Sequence, residues 1–572
     1  MYFTLAVSAA DPGTCAALTQ RACGTDPRAL PMPGPARVAW RAPDGRAALV
    51  TWGAADGDGA GRLHQSPEPG QPPSPGSHAG TIWVPDQAGS TVAAATGITR
   101  IDPVYLARTG GAVILSDRAS WAAATAGRLG DADPILYGAL LSLGYPLGAV
   151  TPFTGVRALG PATSCRASAG TITEGKRAGL PKPGPGGAPG AARVAEALVQ
   201  AVTPLRAWPE PVELSLTGGK DSRLIAAALV GAGVPVRART YGFPGHPDVV
   251  VATLVARELG IEHTVAQPRT AGDDEARQAA VQEVDVLGRL RATVLVADGM
   301  LSAFENVGRP DPARPDPSSG AAVIGGHGGE LLRGGYAKII PGSAARRAAG
   351  SAELLRRLAM RRVPLLRARW RAAYLAGLAP WVAAVAAHPQ PALDEFYLVN
   401  RAGRWSAAAR QAYSIRSAMI QPFFDDGVVR AARSVPLAER LDDRLVRGAI
   451  AALYPSLLDI PLAADRWKCA PKDAAGPGPV TAPPGQQRAR FDWRRGYGDE
   501  VAVFLRDYVL DVGSAGGLFA VISRPAAERV LQPPHTDPVT VWALATLAAL
   551  ISQDWLNARA PADRVFAIPV PA

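Results

Sequence analysis

Six consecutive residues, 217–222, have the types and spacing needed to bind a chain of phosphates. They read Thr-Gly-Gly-Lys-Asp-Ser. An apolar run before them predicts a strand over residues 212–216, and the apolar periodicity after Asp221 predicts a helix. Two glycines let the backbone approach a ligand closely, and a helix N-terminus directs unpaired N–H groups at anionic oxygens. With the Asp221 carboxylate available to magnesium, the segment predicts a pyrophosphate-binding loop and a reaction that uses ATP.

This loop differs from the Walker P-loop, which has four residues between its glycines and a Lys-Ser/Thr pair after the second one. Here the glycines are adjacent and an Asp-Ser pair follows. The loop resembles the Ser-Gly-Gly-x-Asp-Ser motif of the ATP pyrophosphatases, which cleave ATP between the α and β phosphates. An ordinary Gly-Gly turn before a helix is the alternative that six residues leave open.

A second glycine-rich loop, residues 326–336, follows another strand-like run. Its Glu330 supplies a second carboxylate for magnesium. Its His327 stands between two glycines with little apolar cover, and a neutral imidazole there can accept a proton from an amine. A structural histidine is the alternative.

Two further residues suit the same chemistry. Tyr241 ends a predicted strand, at the sheet edge where backbone groups can hold adenine. Lys468 lies late in a chain that contains six lysines, and its ammonium suits stabilisation of negative charge on an adenylate. A solvent-facing lysine is the alternative for Lys468.

The chain divides at a segment rich in glycine and proline. Residues 1–175 alternate short strand-like runs with turns, and residues 176–192 predict a linker. Residues 193–572 open with a strand–helix–strand alternation that is typical of a parallel sheet with crossover helices. Two polar, proline-rich stretches, residues 308–320 and 470–487, predict mobile loops. An α/β protein is expected.

The net charge of +11 would suit a nucleic-acid partner. No basic run is interleaved with aromatic residues in the manner of a nucleic-acid platform, so no such partner is expected. The densest basic stretch, residues 356–371, predicts a solvated amphipathic helix, with a groove for an acidic peptide as the alternative.

Targeting signals and metal-site patterns are missing from the sequence. No apolar stretch of membrane-spanning length is free of Arg, Asp, Pro and Gly, and no basic region precedes a long apolar segment at the N-terminus. Its four cysteines form no CxxC pair, and its seven histidines show no HExxH or zinc-finger spacing. A reduced, cytoplasmic protein without a membrane span is expected.

The order of five motifs resembles that of the asparagine synthetase family. The family carries Ser-Gly-Gly-x-Asp-Ser, Gly-x-Pro-Gly-Ser-Pro-Asp, Gly-Glu-Gly-Ser-Asp-Glu-x-x-Gly-Gly-Tyr, Pro-Phe-Leu-Asp and Arg-x-Lys. Counterparts occur in this order at residues 217–222, 242–248, 326–336, 422–425 and 466–468. The third motif aligns without a gap and puts Glu330 on the family's magnesium aspartate. Lys468 falls on its catalytic lysine.

The resemblance covers nearly the whole chain and implies its fold. Residues 1–175 would form an N-terminal Ntn-hydrolase-like αββα sandwich, a degenerate class II glutamine-amidotransferase-like domain. Residues 193–572 would form an adenine-nucleotide α-hydrolase-like synthetase domain of the ATP pyrophosphatase type, with ATP and Mg²⁺ as cofactors.

Three departures from the family pattern narrow the function. Tyr2 replaces the cysteine after the initiator Met whose thiolate attacks glutamine, so glutamine hydrolysis is not expected. His327 replaces a Glu, or the Tyr of β-lactam synthetase, and Ala418 stands where that enzyme has its Glu. The combination Gly-Gly-Lys-Asp-Ser-Arg-Leu with Gly-His-Gly-Gly-Glu resembles the lasso peptide cyclases most.

The lasso resemblance implies macrolactam formation on a linear core peptide, with a leader peptidase and a leader-binding protein as pathway partners. Another amidoligase of the family is the alternative, followed by a tRNA-modifying ATP pyrophosphatase. His327 and Lys468 are expected to be catalytic, and Asp221 and Glu330 to bind the metal. The residues expected at ATP and pyrophosphate are Leu216, Thr217, Gly218, Gly219, Lys220, Asp221, Ser222, Tyr241, Gly326 and Gly328.

Overall fold

The computed structural model of the chain describes most of its residues. These are 3–25, 30, 36–52, 81–177, 180, 187–242, 245–266, 281–305, 307, 322–414, 418–463, 466–469, 479–481, 494–533, 537–557 and 564–569. Tyr2 and the predicted loop at residues 308–320 lie outside them, as does the predicted loop at residues 470–487 except for residues 479–481.

Two antiparallel sheets form the N-terminal region. One sheet orders its strands β2-β3-β1-β7-β6-β8 and the other β10-β9-β5-β4. The elements are β1 (Phe3–Ala9), α1 (Pro12–Gly24), β2 (Ala36–Arg41), β3 (Ala47–Trp52), β4 (Thr81–Trp83), β5 (Thr91–Ala95), β6 (Tyr105–Thr109), β7 (Ala112–Ser116), α2 (Ala119–Thr125), α3 (Ile135–Leu143), β8 (Val156–Ala158), β9 (Thr163–Ser168) and β10 (Thr171–Lys176).

Alternating side chains bury both faces of the larger sheet. On β1, Ala6 joins the core between the two sheets, while Leu5 and Val7 join the core under the helices. The helices α1 and α2 pack on this second face. A sandwich of two sheets with helices outside one of them therefore forms, and its assignment to the Ntn-hydrolase type stays a prediction.

A five-stranded parallel sheet organises the second region, with the order β13-β12-β11-β15-β16. The strand–helix alternation and the α/β class expected from the sequence are thus present. The elements are α4 (Gly187–Val202), β11 (Val212–Ser215), α5 (Lys220–Gly231), β12 (Val236–Tyr241), α6 (Pro247–Glu258), β13 (Glu262–Ala266), β14 (Val281–Asp285), α7 (Val286–Val296), β15 (Ala322–Gly325), α8 (Ala344–Ala359), α9 (Ala368–Ala387), α10 (Pro389–Phe396), α11 (Ala407–Ser414) and β16 (Ala418–Ile420).

Helices make up most of the remaining chain. Between α10 and α11 the chain forms a π-helix, Tyr397–Ser406. The later elements are α12 (Asp426–Arg433), α13 (Leu437–Leu441), α14 (Arg444–Leu453), α15 (Asp499–Ala515), α16 (Arg524–Val530), α17 (Pro538–Ile551) and β17 (Val565–Pro569), which pairs with β14. In the part of the chain that the structure describes, no helix combines the length and apolar character that crossing a bilayer requires.

Two expectations about local structure were wrong. The basic stretch of residues 356–371 is not one helix, because α8 ends at Ala359 and a short turn precedes α9. Pro364 lies in that turn and cannot donate the backbone hydrogen bond that a continuous helix needs. The predicted linker of residues 176–192 is also partly regular: Lys176 ends β10, and residues 187–192 begin α4. The division into domains stays a prediction.

The two regions share a buried core and hydrogen bonds. One hydrophobic cluster contains residues of both. The hydroxyls of Tyr145 and Tyr336 lie 2.8 Å apart, and Ile98 donates its N–H to Asp426 at 2.7 Å. Because Tyr336 ends the second glycine-rich loop, the N-terminal region reaches the side of that loop directly.

Candidate active site

The first glycine-rich loop lies at the carboxyl edge of the parallel sheet, where the sequence predicts it. It connects β11 to α5, and hydrogen bonds within the loop fix its shape. Thr217 donates its N–H to the Ser222 hydroxyl at 3.1 Å, and that hydroxyl lies 3.2 Å from the Thr217 carbonyl. Asp248 accepts the N–H of Gly218 at 2.9 Å. The Ser222 hydroxyl, predicted to face a phosphate, therefore helps to close the loop.

Leu216 and Tyr241 lie at the ends of neighbouring strands. Leu216 is buried, donates its N–H to the Arg239 carbonyl at 3.0 Å, and accepts the Thr240 hydroxyl at 2.9 Å. Tyr241 ends β12, with the Arg239 guanidinium 5.1 Å from the centre of its ring. The strand ends thus put both residues beside the loop, while Leu216 is held in the sheet.

The side chain of Lys220 is buried within the protein. Its ammonium lies 2.7 Å from the Asp443 carboxylate and donates to the Arg466 carbonyl at 2.9 Å. Asp443 also accepts the backbone N–H of Lys468 at 3.2 Å. The buried Lys220–Asp443 pair therefore fastens the segment that carries Lys468 to the start of α5.

Lys468 itself is exposed. Its side chain forms no ion pair with any residue that the structure describes. Its ammonium is thus free to meet an anionic ligand near the first loop, and its catalytic role stays a prediction.

The glycines of the second loop permit close packing against the first loop. A Cβ on Gly326 would lie 2.5 Å from the backbone nitrogen of Ser222, and one on Gly329 would overlap the Asp221 carboxylate. Gly328 has a φ of 95°, a conformation that favours glycine, and a Cβ there would overlap the Phe424 ring. Direct phosphate contact by Gly326 and Gly328 stays a prediction.

The two carboxylates expected to bind magnesium come together on one cation. Arg333 forms an ion pair with Asp221, and its guanidinium lies 3.7 Å from Glu330. Lys338 lies 3.2 Å from Glu330. Burial raises the pKa of Asp221 in spite of Arg333. Burial would also raise the pKa of Glu330, but Lys338 and Arg333 bring it below its usual range.

This carboxylate pair fits a magnesium ion that arrives with a nucleotide. Protein sites for Mg²⁺ usually supply one or two carboxylates, and the remaining ligands are phosphate oxygens and water. Oδ1 of Asp221 is buried and has no hydrogen-bond partner among the described residues. Within the same residues, no group of three or more His, Cys, Asp or Glu could hold a metal without such help.

His327 lies in an aromatic cleft beside these carboxylates. Its ring stacks on Phe424 with centroids 5.6 Å apart, and Trp405 lies at the same distance on a tilted plane. Its Nε2 lies 3.1 Å from the Ser406 hydroxyl. His327 retains solvent-exposed surface, yet the atoms around its ring desolvate it, which lowers its pKa and favours the neutral imidazole.

The sequence did not reveal several residues that shape the site. Arg333 lies inside the second glycine-rich loop, where its spacing from Glu330 could have indicated a contact. Asp248 is the last residue of the second family motif, residues 242–248, but the motif did not predict its contact with Gly218. Asp443, with a φ of 68°, and the π-helix that carries Trp405 and Ser406 gave no signal in the sequence.

Residues 193–455 match the family model described as asparagine synthase. The match spans the parallel sheet and both glycine-rich loops, and it ends before Lys468. It supports an asparagine synthetase-family member and implies an ATP-dependent amidoligase. A search of curated proteins found no match.

Proposed function

We propose that this protein closes a macrolactam in a lasso peptide. The side-chain carboxylate of an internal Asp or Glu attacks the α-phosphorus of ATP, and pyrophosphate leaves. The α-amine of the same peptide then attacks the acyl carbon, and AMP leaves. The observation that carries the proposal is the contact between the two glycine-rich loops at one sheet edge, which brings Asp221 and Glu330 together on Arg333.

The first half-reaction depends on the loops and the carboxylate pair. The N-terminus of α5, whose first N–H groups have no partner within the helix, attracts the pyrophosphate. Asp221 and Glu330 would hold Mg²⁺, which neutralises charge on the phosphates. Lys468 would stabilise negative charge on the adenylate and on the tetrahedral intermediate.

In the second half-reaction, His327 takes a proton from the attacking amine. When Nε2–H donates to the Ser406 hydroxyl, Nδ1 carries the lone pair that accepts this proton. The lowered pKa keeps the imidazole neutral near pH 7, which a base requires.

The choice of a peptide amine as the nucleophile rests on the resemblance of residues 218–224 and 326–330 to the lasso peptide cyclases. A peptide that contributes both reacting groups makes amide formation unimolecular, which is worth roughly 7–11 kcal/mol when the geometry is good. A leader peptidase would expose the α-amine, and a leader-binding protein would deliver the precursor.

The test uses purified protein with ATP, magnesium and a candidate core peptide. Cyclisation predicts AMP, pyrophosphate and a peptide lighter by one water. The control is the same peptide with Asn or Gln in place of the acceptor residue, which should form neither AMP nor product. Release of ADP and phosphate would reject an acyl-adenylate.

Two alternatives have their own outcomes in the same assay. The family match is equally compatible with asparagine or β-lactam formation, which predicts AMP from free aspartate with ammonia or from a small β-amino acid. A tRNA-modifying enzyme predicts tRNA binding with a steep salt dependence.

A further inference from the structure

Among the residues that the structure describes, Arg401 is a half-buried cation without a counterion, and it lies beside the proposed base. It lies on the π-helix Tyr397–Ser406, and its guanidinium carbon is 3.6 Å from the centre of the Trp405 ring. The Tyr145 ring lies 5.7 Å away on another side. No carboxylate or carbonyl of the described residues accepts a hydrogen bond from its guanidinium. Stacking leaves the in-plane N–H groups of arginine available to a planar anion.

The N-terminal region holds the π-helix in place. Asn400 accepts the N–H of Gly148 at 3.0 Å, and Arg100 donates to the Val399 carbonyl at 2.7 Å. Arg404 donates to the Val150 carbonyl. These bonds flank Arg401 on both sides in the sequence, so its backbone position is fixed before any ligand binds.

The same helix connects Arg401 to His327. Trp405, on which Arg401 stacks, contacts the His327 ring, and the adjacent Ser406 bonds its Nε2. The ion pairs of Glu330 are with Lys338 and Arg333, not with Arg401. Within the described part of the chain, the cation beside His327 therefore has no carboxylate partner.

We propose that Arg401, held over the Trp405 ring, binds a carboxylate of the acyl substrate next to His327. A guanidinium matches a carboxylate through two parallel hydrogen bonds, and a charge that is partly removed from water gains most from such a partner. The pair also offsets the repulsion between an anionic substrate and the phosphates of ATP. This inference rests on the proposed function, because it assigns a binding group to that reaction.

Two carboxylates of a peptide could occupy this subsite, that of an acidic side chain and that of the chain end. Isomeric probes separate them: N-acetyl-aspartate α-amide carries the first, and N-acetyl-asparagine the second, with equal size and charge. The neutral N-acetyl-asparagine α-amide measures binding without a carboxylate. Dissociation constants are measured by ligand-detected NMR, which needs no catalysis.

We expect the protein to bind N-acetyl-aspartate α-amide at least about tenfold more tightly than the neutral probe, the effect of one good charge-assisted contact. Arg401→Gln should abolish this preference, and Arg401→Lys should retain only part of it. Arg369→Gln is the matched control, because Arg369 lies over Trp370 at 4.8 Å on the exposed surface, and it should leave the preference intact.

An equal preference for N-acetyl-asparagine that also requires Arg401 would support the subsite and assign it to the chain end. A preference that survives Arg401→Gln, or its absence in the unaltered protein, would overturn the proposal. Thermal unfolding of each variant checks folding, and Arg401→Lys decides the question if Arg401→Gln does not fold.

Failure of this inference is distinguishable from failure of the proposed function. If carboxylate binding requires Arg401 but no peptide gives AMP, the subsite is supported and the proposed reaction is rejected. Peptide-dependent AMP formation with an unchanged KM in Arg401→Gln would keep the reaction and reject the subsite.

Discussion

The two glycine-rich loops begin at neighbouring strand ends, yet their glycines serve different purposes. Ser215 on β11 pairs with Gly325 on β15, so the loops start level with each other. In the first loop the nearest protein atom to a Cβ on Gly219 would be the Thr217 hydroxyl, at 3.4 Å. In the second loop a Cβ on Gly329 would collide with Asp221. Gly219 leaves room for a ligand, whereas Gly329 leaves room for the first loop.

The charged residues of the two loops differ in the same way. Lys220 of the first loop is buried and serves the protein, whereas Glu330 and His327 of the second loop are open to solvent in part. The two loops are therefore similar in composition but differ in function. The first loop supplies its shape and the N-terminus of α5, and the second supplies most of the side chains that can act on a substrate.

The largest effect on activity is expected from replacing Asp221, which lies where the two loops meet. Asp221→Asn removes the charge that would hold magnesium, and AMP formation should fall by about 10³-fold or more, the scale of a principal electrostatic contact. Pyrophosphate release measures the effect, and Glu353→Gln, at an exposed ion pair with Arg356, is the control. Retention of most of the activity would show that the loops do not meet on a metal.

Because Lys220 is buried, its replacement is expected to reduce the stability of the fold, which is the second largest effect. Lys220→Met leaves the Asp443 charge buried without its partner and should lower the free energy of unfolding by about 3–5 kcal/mol. Adding Asp443→Asn should recover part of the loss. Lys176→Met, at an exposed lysine, is the control for denaturant unfolding. If Lys220 instead contacted phosphate, its replacement would raise the KM for ATP and leave stability unchanged.

His327 should affect only the second half-reaction. His327→Gln is expected to slow amide formation by about 10²-fold or more while pyrophosphate release continues, because a general base contributes about that much. Hydrolysis of the accumulated adenylate would appear as AMP without cyclic product. Equal loss in both half-reactions would place His327 on the nucleotide instead.

The lowered pKa of His327 gives this prediction a pH dependence. The neutral base is fully present above its pKa and disappears as pH falls through it. Because burial lowers that pKa, the acid limb of the kcat profile should lie below the ordinary value of about 6.5 for histidine. The limb should vanish in His327→Gln. An acid limb of the kcat profile above the ordinary histidine pKa would contradict the desolvation of the His327 ring.

The smallest effects compare the two glycines directly. Gly329→Ala forces a methyl group against Asp221 and should lower the free energy of unfolding by about 1–3 kcal/mol, as overpacking does. Gly219→Ala should change stability by less than about 1 kcal/mol and weaken ATP binding instead. Thermal unfolding with and without ATP measures stability and ATP binding in both variants. A larger loss of stability in Gly219→Ala than in Gly329→Ala would contradict the different roles of the two glycines.

Much of the site could be predicted because its motifs are local. An apolar run, two glycines and a helical periodicity predict a strand, a loop and a helix at residues 212–231, and the structure has β11 and α5 there. The strand before Gly326 and the strand that ends at Tyr241 were predicted for the same reason. The prediction of one helix at residues 356–371 was wrong because it rested on the pattern of charged residues and did not take account of Pro364.

The sequence by itself determined which chemical groups stand at the strand ends, since periodicity and glycine placement are properties of neighbouring residues. Only the tertiary structure decided what each group faces. Lys220 meets Asp443 from 223 positions away, and Arg333 meets Asp221 from 112. Such contacts depend on how the sheet, α14 and the π-helix pack together, which burial of apolar surface decides across the whole chain. Spacing within a motif carries no information about them.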